Sequence, residues 1–266
     1  MSDFAADFAG VLALLRRLRA SDGCPWDREQ TPRSLLPYLL EEAHEAAEAI
    51  EAGDDAASRD ELGDLLLHLG FQIVLAEEEG RFTLADVAGG LIDKMVRRHP
   101  HVFGAAEYAG AGHQAMWERL KREEKPAGDD PELDRSAILG ALPAGLPALV
   151  RAFRIQQKVA AVGFDWREPA GARAKLDEEL AETEAAATTG PAAALEEEFG
   201  DLLFALVNWG RLLGVHPHLA LQQANRKFER RFRALEALAA ARGLPVDGQP
   251  LAALDALWDE VKAAER

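Results

Sequence analysis

Residues 178–204 read EELAETEAAATTGPAAALEEEFGDLLF, and residues 41–67 read EEAHEAAEAIEAGDDAASRDELGDLLL. Laid over one another 137 positions apart, the two stretches keep Glu-Glu-x-x-Glu and Glu-x-Gly-Asp in register. Both are built from Ala, Leu and Glu, which favour helix, and each carries a glycine beside a turn-forming residue near its middle, Gly53-Asp54 in one and Gly190-Pro191 in the other. Each stretch therefore reads as two helices joined by a tight turn, and the chain reads as written twice.

Outward from these stretches the duplication continues. Lys94-Met95-Val96-Arg97-Arg98 matches Lys227-Phe228-Glu229-Arg230-Arg231, Met116–Lys121 matches Leu257–Lys262, and Gly23-x-x-Trp26 matches Gly163-x-x-Trp166, at offsets from 133 to 141. Blocks recurring in one order at nearly one offset predict tandem domains, over residues 1–125 and 147–266, with a Pro- and Gly-containing linker at 126–146. Apolar residues at helical spacing predict helices over 3–20, 32–52, 54–79, 83–98 and 113–124, and again over 147–161, 171–188, 192–213, 217–242 and 251–265. No stretch alternates with period two. The expected fold class is all-α, as two antiparallel helical bundles.

Composition narrows the function. The 266 residues are 48% hydrophobic and only 7% aromatic, and the formal net charge is −16. So acidic a chain is poorly suited to gripping a nucleic-acid backbone, and no nucleic-acid partner is expected. An anionic ligand would need a local basic patch or a bridging cation. The single cysteine, Cys24, cannot form an internal disulfide, the N-terminus has no secretory pattern, and no apolar run approaches the ~18 residues of a membrane span. A soluble cytoplasmic protein with no membrane partner is expected.

The chemistry is expected from carboxylates. Residues three apart share a helix face, so Glu179 converges with Glu182, and Glu198 with Asp201; the turn at 188–191 would set the pairs opposite each other. Glu42, Glu45, Glu61 and Asp64 repeat the arrangement in the first copy. Four carboxylates at close range repel unless cations lie among them, and an all-oxygen donor set suits Mg²⁺, with Mn²⁺ as the alternative. Glu198 and Asp201 stand within an apolar run, which argues against a merely solvated face. Glycine inside a helix costs about 1 kcal/mol relative to alanine, yet Gly63 and Gly200 each sit between the two acids, and close approach of a backbone or ligand would compensate. Glu41 and Glu178 belong either to the metal shell or to its rim. A ferritin-like di-iron site would need two Glu-x-x-His pairs, and only Glu41-x-x-His44 fits.

Lys227, Arg230 and Arg231 form one basic helix face. It is either a salt-bridged surface or a clamp for phosphate oxygens. Carboxylate-held Mg²⁺ with such a clamp is equipment for phosphoryl chemistry, and no P-loop pattern is present. Trp117 and Trp258 read as helix-docking anchors, with base stacking the alternative for Trp258; Trp26 and Trp166 read as core.

On EExxE and ExGD in both halves, KMVRRHPHVFG in the first and ANRKFERRF in the second, the sequence resembles the MazG family over essentially its whole length. The resemblance implies an all-α, usually dimeric, Mg²⁺-dependent enzyme that cleaves nucleoside triphosphates, including deoxy and noncanonical ones, to monophosphate and pyrophosphate. It implies Glu179, Glu182, Glu198 and Asp201 as metal ligands, Lys175, Lys227, Arg230 and Arg231 at the phosphates, and Trp258 beside the nucleotide. Glu182 or Glu198 would position the attacking water. The first copy has Tyr38 where the second has Lys175, and Ile92 where the second has Asn225, so the second copy is expected to be catalytic and the first degenerate or regulatory. The alternatives are a narrower all-α pyrophosphatase, of the dUTP/dCTP or phosphoribosyl-ATP type, and a non-catalytic helical interaction module.

Overall fold

A computed structural model describes residues 4–104, 113–124, 138–140 and 142–265, the side chains of 113–115 and 122 excepted. All the regular structure among the described residues is helical. No helix there is long and apolar enough to cross a membrane. The chain divides into two compact units, 1–107 and 108–266. The linker expected over 126–146 lies mostly outside the described residues.

In the first unit the elements are α1 (Phe8–Arg19), α2 (Pro25–Glu29), α3 (Leu36–Ala52), α4 (Asp55–Glu78), α5 (Leu84–Arg98) and α6 (Pro100–Phe103). Their ends follow local chemistry. The Asp7 carboxylate accepts from the Gly10 amide at 2.8 Å and starts α1. Gly53, in the left-handed region at φ 69°, ends α3, and the next residue, Asp54, accepts from the amides of Ala56 and Ala57 to start α4. Thr83 and Asp86 form a reciprocal capping box at the head of α5. With so short a connection α3 and α4 run antiparallel, and α1 packs across α4. Leu12, Leu15, Leu35, Phe71, Ile73, Val74 and Leu75 form the core. Gly70 lets α1 come close: a Cβ there would stand 2.7 Å from Leu15 Cδ1.

The second unit contains α7 (His113–Glu123), α8 (Ala148–Ala160), α9 (Pro169–Thr189), α10 (Ala192–Leu212), α11 (Pro217–Ala241) and α12 (Leu251–Ala264). α9 and α10 form the long hairpin, corresponding to α3 and α4, while α8 packs on α10 as α1 does on α4. α11 and α12 form a second hairpin around Leu235, Ala239, Leu257 and Val261. α7 belongs to this unit, where the buried Glu118 accepts from Arg154 of α8 at 3.1 Å and from Lys121 at 3.0 Å. Burial raises the Glu118 carboxyl, but Lys121 and Arg154 outweigh it and hold the group below its ordinary value.

Two sequence expectations are corrected. Trp26 and Trp166 are not core residues: they are 52% and 43% exposed. Trp26 lies in the five-residue α2 and Trp166 in the connection between α8 and α9, outside the helix pairs that form the two cores. Nor do Gly63 and Gly200 meet another backbone, since a Cβ at either would lie in open space.

Candidate functional site

The α9–α10 turn at Gly190-Pro191 returns the chain so that the middle of α10 faces the middle of α9. Ligand oxygens of Glu179, Glu182 and Glu198 then lie within 4.8 Å of one another. Thr183 pins the two helices together at this level. Its buried hydroxyl donates to the Glu179 carbonyl oxygen at 2.7 Å and lies 3.2 Å from that of Glu198. In the first unit Glu42, Glu45 and Glu61 form the same three-residue group, again within 4.8 Å. Asp64 and Asp201 stand one turn further along their helices, exposed and outside these groups. Asp201 instead shares a cavity with Glu179, and the Asp64 charge acts on Glu42 and Glu61.

Electrostatics and donor chemistry fit a hard cation. Desolvation first, and then the neighbouring carboxylates, raise Glu42 and Glu61 above the ordinary glutamate value. Glu182 is raised by desolvation and by Glu179, with Lys175 opposing and Glu198 and Glu178 adding to the rise. Anions crowded in this way gain from a positive charge placed among them. Their donors are all oxygen, the set that divalent Mg²⁺ or Ca²⁺ prefers.

Cations are placed unequally. Lys175 reaches Glu178 and Glu179, both at 2.7 Å, so it stands at the carboxylate group. Arg230 and Arg231 of α11 are ion-paired with Glu265 beyond α12, at 3.3 and 2.7 Å. Lys227 is exposed. Trp258 packs against the α11–α12 core and meets the Phe228 ring at 5.1 Å between centroids, the anchoring role read for it alongside stacking.

Two buried groups beside the carboxylates, His68 and Asn208, were not anticipated from the sequence, and Trp166 was expected in the core. His68 is buried and its Nε2 lies 3.8 Å from Glu42 Oε1, while Tyr38 stacks on its ring at 6.0 Å. Asn208 is buried and, together with Trp166, lines a cavity of about 170 Å³ at the second group. The signal was available in the duplication itself. Advancing by 137 residues pairs Tyr38 with Lys175 and His68 with Ala205, differences that flank the acids directly.

Because a Cβ at Gly200 meets nothing within 4 Å, Gly200→Ala should stabilise the second unit by about 0.5–1 kcal/mol through helix propensity. Urea denaturation reads the gain. A gain in stability accompanied by loss of ligand binding would show that a ligand uses the open space.

Fold and site together define an all-α protein carrying two carboxylate groups able to hold a metal ion. A sequence profile described as the MazG nucleotide pyrophosphohydrolase domain matches residues 30–103, which span α3 to α6. The chain is 42% identical over 258 residues to the nucleoside triphosphate pyrophosphohydrolase/pyrophosphatase MazG of Thermotoga maritima, covering 97% of this chain and 96% of that protein. It is 44% identical over 259 residues to the nucleoside triphosphate pyrophosphohydrolase of Escherichia coli K12, covering 96% and 97%. An uncharacterised Bacillus subtilis protein, YabN, is 40% identical over 262 residues, which are 52% of its length. The chain belongs to the MazG family of nucleoside triphosphate pyrophosphohydrolases.

Proposed function

We propose that this protein hydrolyses ribo- and deoxynucleoside triphosphates, noncanonical ones included, at the α–β phosphoanhydride, in a Mg²⁺-dependent reaction giving monophosphate and pyrophosphate. The observation that carries this reading is the convergence of Glu179, Glu182 and Glu198 from two helices beside a cavity. It is supported by identity over nearly the whole chain with relatives named for that activity.

Glu179, Glu182, Glu198 and Asp201 would hold the metal, and the first-unit acids Glu42, Glu45, Glu61 and Asp64 are a second candidate set. A Mg²⁺ ion held there would supply positive charge for the triphosphate and Lewis acidity for the attack of water at phosphorus. Glu182 or Glu198 orients that water. Lys175, already drawn to Glu179, contributes positive charge on the substrate side, and Lys227, Arg230 and Arg231 offset the charge of the departing pyrophosphate. Releasing the two arginines from Glu265 is part of substrate binding on this reading. Trp258 is assigned beside the nucleotide by resemblance. The second unit is the catalytic copy because Lys175 and Asn225 stand where the first has Tyr38 and Ile92.

A homodimer fits the surface of each unit. Leu62, Leu66 and Leu69 make an exposed apolar stripe along α4, and Phe199, Leu203 and Leu206 repeat it 137 residues later along α10. Apolar faces of this kind mark association surfaces.

Anion-exchange chromatography of the protein incubated with a panel of nucleoside triphosphates, with Mg²⁺ or with EDTA, tests the reaction. Monophosphate and pyrophosphate are expected with Mg²⁺ alone. Diphosphate and phosphate would move the cut to the other anhydride, and a folded protein giving no product would favour the interaction module. In the same samples, Mg²⁺ with nucleotide should raise the melting temperature.

A further inference from the structure

Trp166 is fixed by two helices and yet left open. Asp165 accepts from Arg211 of α10 at 2.5 Å, and the same guanidinium donates to Asn208 Oδ1 at 2.9 and 2.8 Å, so α10 anchors the turn that carries the indole. On the other side the ring lies on Gly171 of α9, where a Cβ would collide with it. Two devices hold a large aromatic ring that remains 43% exposed. Packing alone does not require this, because a core tryptophan would be covered.

The ring borders the cavity of about 170 Å³ that also meets Lys175, Glu179, Asp201, Ala205 and Asn208. Pockets enclosing a whole drug-sized ligand run to ~300–1,000 Å³, so this one takes a single ring system, with the carboxylates at its edge. Asn208 has its oxygen committed to Arg211, so its amide can act toward a ligand only as a donor. An aromatic face, a buried amide donor and adjacent charge for phosphates together describe a place for a planar heterocycle attached to a polyphosphate.

The first unit fills the corresponding place with its own rings. Tyr38 stands at the position of Lys175 and His68 at that of Ala205. Their rings are 6.0 Å apart and inclined by only 5°, and Trp26, the counterpart of Trp166, meets Tyr38 edge-on at 6.5 Å.

We propose that Trp166 stacks the base of the nucleotide in this cavity, and that Tyr38 and His68 occupy the equivalent space in the first unit, leaving it a carboxylate group without a base site. The assignment rests on the nucleotide reading above. It moves base recognition from Trp258 in the α11–α12 hairpin to the turn between α8 and α9.

The test compares two ligands by titration calorimetry with Mg²⁺: α,β-methylene-ATP, which resists the proposed cleavage, and inorganic tripolyphosphate, which has no base. Base–aromatic stacking predicts that Trp166→Ala weakens the nucleotide analogue by about 5- to 150-fold and leaves tripolyphosphate binding as it was. Trp166→Phe should keep most of the affinity. Ala205→His, which introduces the ring found in the first unit, should repeat the selective loss. Retained tripolyphosphate binding shows in each variant that the fold and the anion site persist. Equal weakening of both ligands by Trp166→Ala would overturn the proposal, as would a selective loss from Trp258→Ala with none from Trp166→Ala. A wild-type protein binding the analogue no more tightly than tripolyphosphate would overturn it as well. ATP turnover is followed alongside. Selective binding without turnover refutes the reaction but keeps the base site, and turnover with Trp166→Ala binding normally refutes the base site alone.

Discussion

Glu182→Gln is expected to lower turnover of nucleoside triphosphates by about 10³-fold, which corresponds to losing several kcal/mol of charge stabilisation at the metal and the reacting phosphate. The amide keeps the shape of the side chain and removes its charge. Glu182 is grouped with Glu179 and Glu198 within 4.8 Å, and its carboxyl is raised by desolvation and by Glu179. Neutralising it relieves repulsion in the metal-free protein, so the variant should melt no lower than the wild type. That separates a chemical loss from an unfolding one. Product chromatography with Mg²⁺ reads the rate, and circular dichroism reads the helix content. Activity within a few-fold of wild type would remove Glu182 from the site. The same change at Glu45, its counterpart in the first unit, divides the copies: a loss as large there would place turnover in the first unit.

Leu15→Ala should destabilise the first unit by about 4 kcal/mol, in the upper part of the range for buried leucine truncation. Leu15 is fully buried among Leu12, Leu35, Phe71 and Val74. Its Cδ1 lies where a Cβ on Gly70 would come within 2.7 Å, so α1 and α4 are already in close approach and cannot move together to fill the space left behind. Denaturant unfolding should show an earlier transition for this unit. A change below ~1 kcal/mol would show that α1 is not docked on α4 in solution.

Ten of the helices could be read from the chain because their ends and faces are local properties. The Asp54 and Thr83 side chains cap α4 and α5, and Gly53 adopts the positive φ that ends α3. The two that escaped, α2 and α6, have five and four residues, too few for a helical period to register. Their cue was a proline at the first helical position, in Cys24-Pro25 and His99-Pro100. α1 starts at Phe8 rather than at residue 3 because the Asp7 side chain takes the capping bond.

The site divides along the same line. The i, i+3 spacing of Glu179 with Glu182 follows from helical geometry, and it placed them on one face before any tertiary information. Which acids then meet across the hairpin depends on how α9 and α10 face each other. That arrangement admits Glu198 to the group and leaves Asp201 at the cavity. Arg230 and Arg231 share a face with Lys227 in the sequence, but their partner Glu265 is more than thirty residues away and is brought near only by the return of α12.

The ten longer helices, the duplication and the acid spacing are legible in the chain alone, since each arises from bonds and contacts within a few residues or from direct comparison of the two copies. The exposure of Trp166 beside the second carboxylate group, the stacking of Tyr38 on His68 in the first, and the open space over the glycines between the acids come from the folded arrangement. Those outcomes depend on the direction of a turn and on the crossing of two helices, which are set by packing over long sequence separations.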